Sequence, residues 1–417
     1  MKNMKRLKGC LLIIVSAILY IYTLNIDNVP SKIVLFQNEE YQITHLNGID
    51  IEGEKLFQKS HFLNQYTALD SQKSGKQNLV LSTFGGLFKK DIEVSVLPVT
   101  KVKIGGDCVG IRVYSKGVLV IGTAPVQGMD GKWYEPYQNT KIQKGDKILS
   151  LNKIPTETIL DLMKILQEVS GDVSITYERN GTIQEETITP ITCLEDGTCK
   201  LGLWVRDGAM GVGTLTFYEP VSGKVCALGH GISDYDLKQL IDVDEGTINS
   251  SIVVSVTKGI KGTPGEIRAL LVDEQLIGNI EANNEFGIYG EYKQENNLLT
   301  DREEYIVASK NEIEIGPAKI YCTIDEGGVP QSYDINIVRM MTKNNDGSKG
   351  MVIEVTDEAL LTKTGGIIQG MSGSPIVQNG KFVGAVTHVY VNDPTRGYAI
   401  LAETLIHEIS QDNPEMT

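Results

Sequence analysis

The chain reads as mainly β, ending in a closed β-barrel or pair of barrels. Three observations predict this. From about residue 193 onward, GVGTLTFYEP, SIVVSVTKG, EIRALLV, KIYCTI, MVIEV and SPIVQNGKFVGAVTHVYV follow one another, divided by Gly, Asn, Asp and Pro. Runs rich in Val, Ile, Thr and Tyr and bounded by turn residues are strands, and many short strands in one domain favour a closed barrel. Helical spacing recurs only near residue 160 and in AETLIHEIS near the C-terminus.

At 417 residues the chain is long enough for two to four domains, taking about 150 residues per domain. An apolar fraction of 41% with 22% charged residues is that of a globular protein with a sizeable core. The formal charge of −14 and the lack of a basic stripe exclude nucleic acid as a partner.

In residues 1–29, Lys2, Lys5, Arg6 and Lys8 precede the apolar run CLLIIVSAILYIYTL. A basic flank before such a run predicts an export signal, and with no A-x-A cleavage site after it we expect an uncleaved signal-anchor, the remainder being exported. Residues 30–100 carry VLFQNEEYQI, NLVLSTF and DIEVSVLP, with turn signals at Asn47-Gly48 and Gly85-Gly86, and predict a small β-rich region. Of the six cysteines, Cys10 lies in the anchor. The other five form no C-x-x-C pair, so mostly free, buried thiols are expected, with no metal and no cofactor.

Residues 101–192 change pattern. VGIRVY and GVLVIG predict two strands joined by Ser115-Lys116-Gly117. GDKILSLN, a helix opened by Pro155-Thr156-Glu157 and carrying Ile159, Leu160, Leu162, Met163 and Leu166, and the strands VSITYER and TIQEETITP follow. This order resembles a PDZ domain. In that family the backbone of a G-L-G-F loop binds a peptide terminus and the next strand pairs with it. The matching residues here are Val109, Gly110 and Ile111, with Cys108 in place of the first glycine.

Residues 193–417 hold the candidate chemistry. GMSGSP, residues 370–375, packs two serines and two glycines into one turn between short apolar runs. A serine nucleophile needs a neutral imidazole, a group that orients it and donors for the oxyanion. With Ser372 as nucleophile, the N–H groups of Gly370 and Ser372 supply the donors. An α/β-hydrolase elbow, G-x-S-x-G, fails because Ser374 stands at its fifth position. Of the five histidines, His45, His61, His230, His388 and His407, only His230 falls within this domain and ahead of the serine, the order of double-barrel serine proteases. It lies in ALGHGISD, between two glycines that leave its ring uncrowded. Asp234, Asp242, Asp244, Asp325, Asp346 and Asp357 all lie between base and serine, and the residues alone do not choose among them. Asp242-Val243-Asp244-Glu245-Gly246 lacks the remaining ligands of a calcium loop and reads as a solvated turn. Thr387 and His388, on the strand after the serine, are candidates to line the pocket beside the scissile bond.

ALGHGISD and TDEALLTKTGGIIQGMSGSPIVQNGKFVGAVTHV, behind a PDZ-like domain and an N-terminal anchor, resemble the sporulation stage IV B (SpoIVB) peptidase family. The resemblance implies a chymotrypsin-like double β-barrel with His230, Asp357 and Ser372 as triad. It implies self-cleavage ahead of the PDZ domain, then cutting of a membrane-bound regulator of an intramembrane metalloprotease, so that a late sporulation sigma factor is processed. The space between the forespore membranes is the implied location. Met371 cannot pair with a newly made N-terminus as an Asp there does in digestive proteases. A quality-control protease and a catalytically inactive scaffold are the alternative readings.

Overall fold

The computed structural model describes the chain except residues 1, 47, 54–55, 61–63, 70, 342–348 and 412–417; His61 and Asp346 lie outside the described residues. It is mainly β and divides into two compact units. The first comprises Met1–Lys101, Ile306–Ile313 and Ala402–Thr417; the second comprises Val102–Tyr305 and Glu314–Leu401.

In the first unit, helix α1 (Lys2–Asn28) occupies the expected anchor. Among the described residues, no helix is long and apolar enough to cross a membrane. A four-stranded sheet follows, in the order Lys32–Phe36, Phe88–Leu97, Gly75–Thr83, Ile49–Glu52. Ile33, Leu35, Leu79, Leu81, Ile92 and Val94 form its core. The C-terminal helix, expected to close the peptidase domain, belongs to this unit instead. Its residues Leu405, Ile406 and Ile409 are buried, and Glu403 accepts the N–H of Lys310 at 2.7 Å.

The second unit is built on two closed rings of antiparallel strands. The first uses β1 (Cys108–Thr123), β2 (Leu203–Glu219), β3 (Lys224–Ala227), β4 (Val243–Thr257), β5 (Glu266–Asn284) and β6 (Gly287–Tyr292). β1 pairs β2, β2 pairs β3, β3 pairs β6, β6 pairs β5, β5 pairs β4, and β4 returns to β1. The second uses β7 (Gly316–Cys322), β8 (Gln331–Met340), β9 (Met351–Val355), β10 (Pro375–Gln378), β11 (Lys381–Val389) and β12 (Arg396–Leu401). Its circuit runs β7, β8, β9, β12, β11, β10 and back to β7. Alternation drives closure: Val109, Ile111 and Val113 are fully buried in the first core, while the intervening Arg112 faces out to Asp273. Phe217 meets Phe382 edge-on at 5.6 Å, joining the two cores.

The module expected as a separate domain at 101–192 is an insertion in the first ring. β1 leaves the ring after Ser115, its last partner on β4 being Val243, and runs on to Thr123; β2 returns beside it from Leu203 and rejoins the ring past a register shift at Arg206/Gly208. The sequence predicts two strands joined by Ser115-Lys116-Gly117, whereas the structure runs them as one strand kinked where Gly117 takes φ +80. The module keeps its own core, with Val118, Val120, Ile148, Leu162, Ile175 and Tyr177. Its helix α2 (Ile159–Glu168) starts later than Pro155 predicts, because Thr158 and Asp161 close a capping box there.

This arrangement corrects the expected peptide-binding loop. Val109, Gly110 and Ile111 sit mid-strand, paired with Gly213, Val212 and Gly211 on one side and with Ser250, Asn249 and Ile248 on the other. A strand bonded along both edges has no N–H groups left for a peptide.

Candidate active site

Ser372 occupies the turn that leads into β10. In that turn the N–H groups of Met371, Gly373 and Ser374 are spent on main-chain carbonyls, donating to Ile368 O, Val386 O and Met371 O at 3.1, 2.8 and 3.0 Å. Those of Gly370 and Ser372 donate to nothing among the described residues. The two donors left over are the two that an oxyanion hole requires. Ser372 Oγ is shielded from solvent and has no hydrogen-bond partner among the described residues, an arrangement that leaves its proton available.

Glycine at 373 is a geometric necessity. Its φ is +93, and a Cβ there would lie 2.2 Å from Thr214 O and 2.6 Å from Leu228 N. That close approach brings the segment carrying His230 against the serine turn. Leu228 N–H donates to Thr214 O at 3.2 Å. Next along the chain, a Cβ on Gly229 would meet Val386 O at 2.9 Å and Thr387 Cγ2 at 3.1 Å. Leu228 holds φ +69, a costly conformation for a branched residue, at the point where the chain turns towards the site.

His230 Nδ1 lies 2.9 Å from the carbonyl oxygen of Gly231. A carbonyl only accepts, so in the neutral ring Nδ1 carries the proton and Nε2 keeps the lone pair a general base needs. His388, set aside on chain order, packs beside this ring with centroids 5.1 Å apart. Thr387 is buried. His230 and Ser372 make no direct hydrogen bond here; such bonds commonly tighten only when substrate binds.

Asp357 does not reach His230. It is the N-cap of α3 (Glu358–Thr364): Oδ1 accepts the N–H groups of Ala359 and Leu360 at 3.0 Å each, and Oδ2 that of Asp334 at 3.3 Å. Among the described residues no carboxylate contacts the imidazole, so the orienting acceptor in this structure is the Gly231 carbonyl and not the expected acid. Of the other aspartates, Asp234 is buried within the His230 loop against Arg206. Asp242 is exposed and pairs with Lys147 at 3.4 Å.

Sequence reasoning missed Thr214. Its N–H donates to Ser372 O at 2.9 Å, its Oγ1 donates to Gly370 O at 2.8 Å, and its carbonyl receives Leu228. One residue of β2 thus holds the serine turn at Gly370 and at Ser372, and the Leu228 segment ahead of His230 as well. Ser374 lies 3.4 Å from Thr214 Oγ1, and beneath it burial pushes the Cys322 thiol up to about 12, against a contact with Ser374 that lowers it. All six cysteines are free. Met371 is fully buried, an apolar plug under the turn.

The SpoIVB peptidase S55 family matches residues 197–406. The chain belongs to that family. It is therefore a serine peptidase of a sporulation family. The match begins after β1, so the first ring takes one of its strands from outside the matched residues. No curated protein sequence matches the chain. A crystal structure of Rv3671c from M. tuberculosis H37Rv, in an inactive form, is similar at 12% identity and a TM-score of 0.27, covering 48% of this chain and 81% of that one. The titin Ig tandem domains A164-A165 are similar at 9% identity and a TM-score of 0.12, covering 38% and 91%. At these TM-scores neither likeness carries an argument about fold or activity.

Proposed function

We propose that Ser372 is the nucleophile and His230 the general base of an endopeptidase whose two six-stranded rings are the barrels of a chymotrypsin-like fold. The observation that carries this reading is the pair of N–H groups at Gly370 and Ser372 that donate to nothing among the described residues, flanking a serine hydroxyl with no partner among them and set against the Leu228–His230 segment. His230 Nε2 takes the Ser372 proton as Oγ attacks the scissile carbonyl. The two N–H groups receive the oxyanion, and the imidazolium then protonates the departing amine. Water, deprotonated by the same nitrogen, releases the acyl group.

The finer role follows the family resemblance. The peptidase is exported and tethered through α1, cuts its own chain ahead of the inserted module, and then cuts a membrane-bound regulator in a sporulation signalling pathway. The space between the forespore membranes is its proposed site of action. The basic flank of α1 and its exposed Leu12, Ile13 and Ile14 support export and tethering. The module, PDZ-like in this reading, holds the peptide in an apolar groove of about 650 Å³ lined by Leu162, Met163 and Leu166 of α2 and by Leu203, Trp204 and Val205. Mass spectrometry of the N-terminus of the full chain tests the self-cleavage. Wild type loses its N-terminal segment and Ser372→Ala retains it; the same clipping in both would assign the cut to another enzyme.

A further inference from the structure

We infer that Arg206 is a positioning residue for His230: paired with Asp234, it fixes the loop that carries the imidazole and ties the inserted module to the catalytic base. The inference rests on the assignment of His230 and Ser372 above. Arg206 lies where β2 leaves the module, opposite Leu119. Its Nη1 is 2.5 Å from Asp234 Oδ2, and its Nη2 is 3.0 Å from Asp236 Oδ2.

The loop from His230 to Ile241 is wound around Asp234. The Oδ1 of that residue accepts the N–H groups of Asp236 and Leu237 at 2.8 and 2.9 Å; its own N–H donates to Gln239 O, and its carbonyl accepts from Lys238. Its side chain is only 3% exposed. A carboxylate so buried stays in place only while its countercharge does.

Among the described residues, two side chains from outside the loop bond to it. Asn283, on β5, bonds the N–H and carbonyl of Ile232 and the carbonyl of Ile241. Arg206 is the other, and it belongs to the module. A cavity of about 230 Å³ separates loop from module beside it, lined by Arg206, Asp234 and Gln239 and by Ser115, Lys147 and Asn180. With space there in place of packing, the ion pair is the principal tether, seconded by the exposed Lys147–Asp242 pair. Releasing it lets the imidazole drift, and a displacement near 1 Å costs about a hundredfold in rate.

A fluorophosphonate reagent on the full chain separates positioning from folding, because the labelling endpoint counts intact sites and the rate constant reads their geometry. We expect Arg206→Ala to label to the wild-type endpoint at a rate at least about tenfold lower, with Arg206→Lys intermediate. Asp234→Asn should slow labelling comparably, and the Arg206→Ala, Asp234→Asn double variant should be no slower than either single one. If Arg206→Ala does not fold, Arg206→Lys against Asp234→Asn carries the same comparison. Wild-type rates in the variants that fold, or fully additive losses, overturn the inference while leaving the active-site assignment intact. A wild type that does not label at Ser372 removes that assignment, and this inference with it.

Discussion

The serine turn and the histidine loop are held in different ways. The turn at Gly370–Ser374 is fixed mainly by backbone: three of its N–H groups go to main-chain carbonyls, and Thr214 of the first ring supplies an N–H and a hydroxyl to its own carbonyls. The loop from His230 to Ile241 hangs from side chains, Asn283 and Arg206, beside a cavity. Backbone bonds between closed rings make the proposed oxyanion site part of the scaffold. Side-chain tethers make the proposed base the adjustable member, so the two halves of the site should respond differently to substitution.

Apart from Ser372 and His230 themselves, the largest effect should come from the rigid half. Thr214→Val removes the hydroxyl that holds Gly370 O and leaves a carbonyl without its partner, at about 1–3 kcal/mol. We expect fluorophosphonate labelling to slow by about ten- to a hundredfold, as when an oxyanion donor is misplaced; an unchanged rate would show that the turn holds itself. Asn283→Ala removes three bonds from the loop and should lower labelling by about tenfold while speeding limited proteolysis of the loop. If proteolysis is unchanged, the loop is anchored elsewhere.

Acid should reach the loop only late, after carboxyls that burial raises, such as Glu403 and Asp107. Burial alone raises the Asp234 carboxyl, but the N–H groups of Leu237 and Asp236 and the Arg206 guanidinium outweigh it and hold it below the usual carboxylate range. The stability this gives is present above the unfolded value of about pH 3.9 and is lost as pH falls through the lower folded value. Urea melts of wild type and Asp234→Asn should therefore differ at neutral pH and converge in strong acid. A gap that persists there would exclude the charge as its cause.

The smallest effect is expected at Asp357. As an N-cap, Asp357→Ala should cost about 1 kcal/mol in a thermal melt and Asp357→Asn only a few tenths, with labelling near wild type in both. Loss of labelling in the stable Asn variant would restore this carboxylate to the mechanism.

The contrast between the halves also explains what was legible in the sequence. GMSGSP announced itself because a turn that exposes N–H groups needs glycine at 370 and 373, where φ is +96 and +93. His230 is legible for another reason: the glycines on either side leave its ring uncrowded. The N-cap role of Asp357 is legible in T-D-E-A-L-L with Gly365 beyond it, whereas the family resemblance implies a triad acid there. Thr214 carried no local signal, since its partners lie far along the chain. Nor did the insertion of the module, because Ser115-Lys116-Gly117 has the composition of a turn and serves as a kink within one strand. Burial and pairing along both edges, fixed only by ring closure, decided the fate of Val109, Gly110 and Ile111.

The central claim is that Ser372 and His230 act together, and it is tested most directly by mapping the fluorophosphonate adduct by peptide mass spectrometry in wild type, Ser372→Ala and His230→Ala. The account predicts a single adduct on Ser372, none in Ser372→Ala, and labelling slowed by about a thousandfold or more in His230→Ala. An adduct on Ser374, or undiminished labelling without His230, would contradict it.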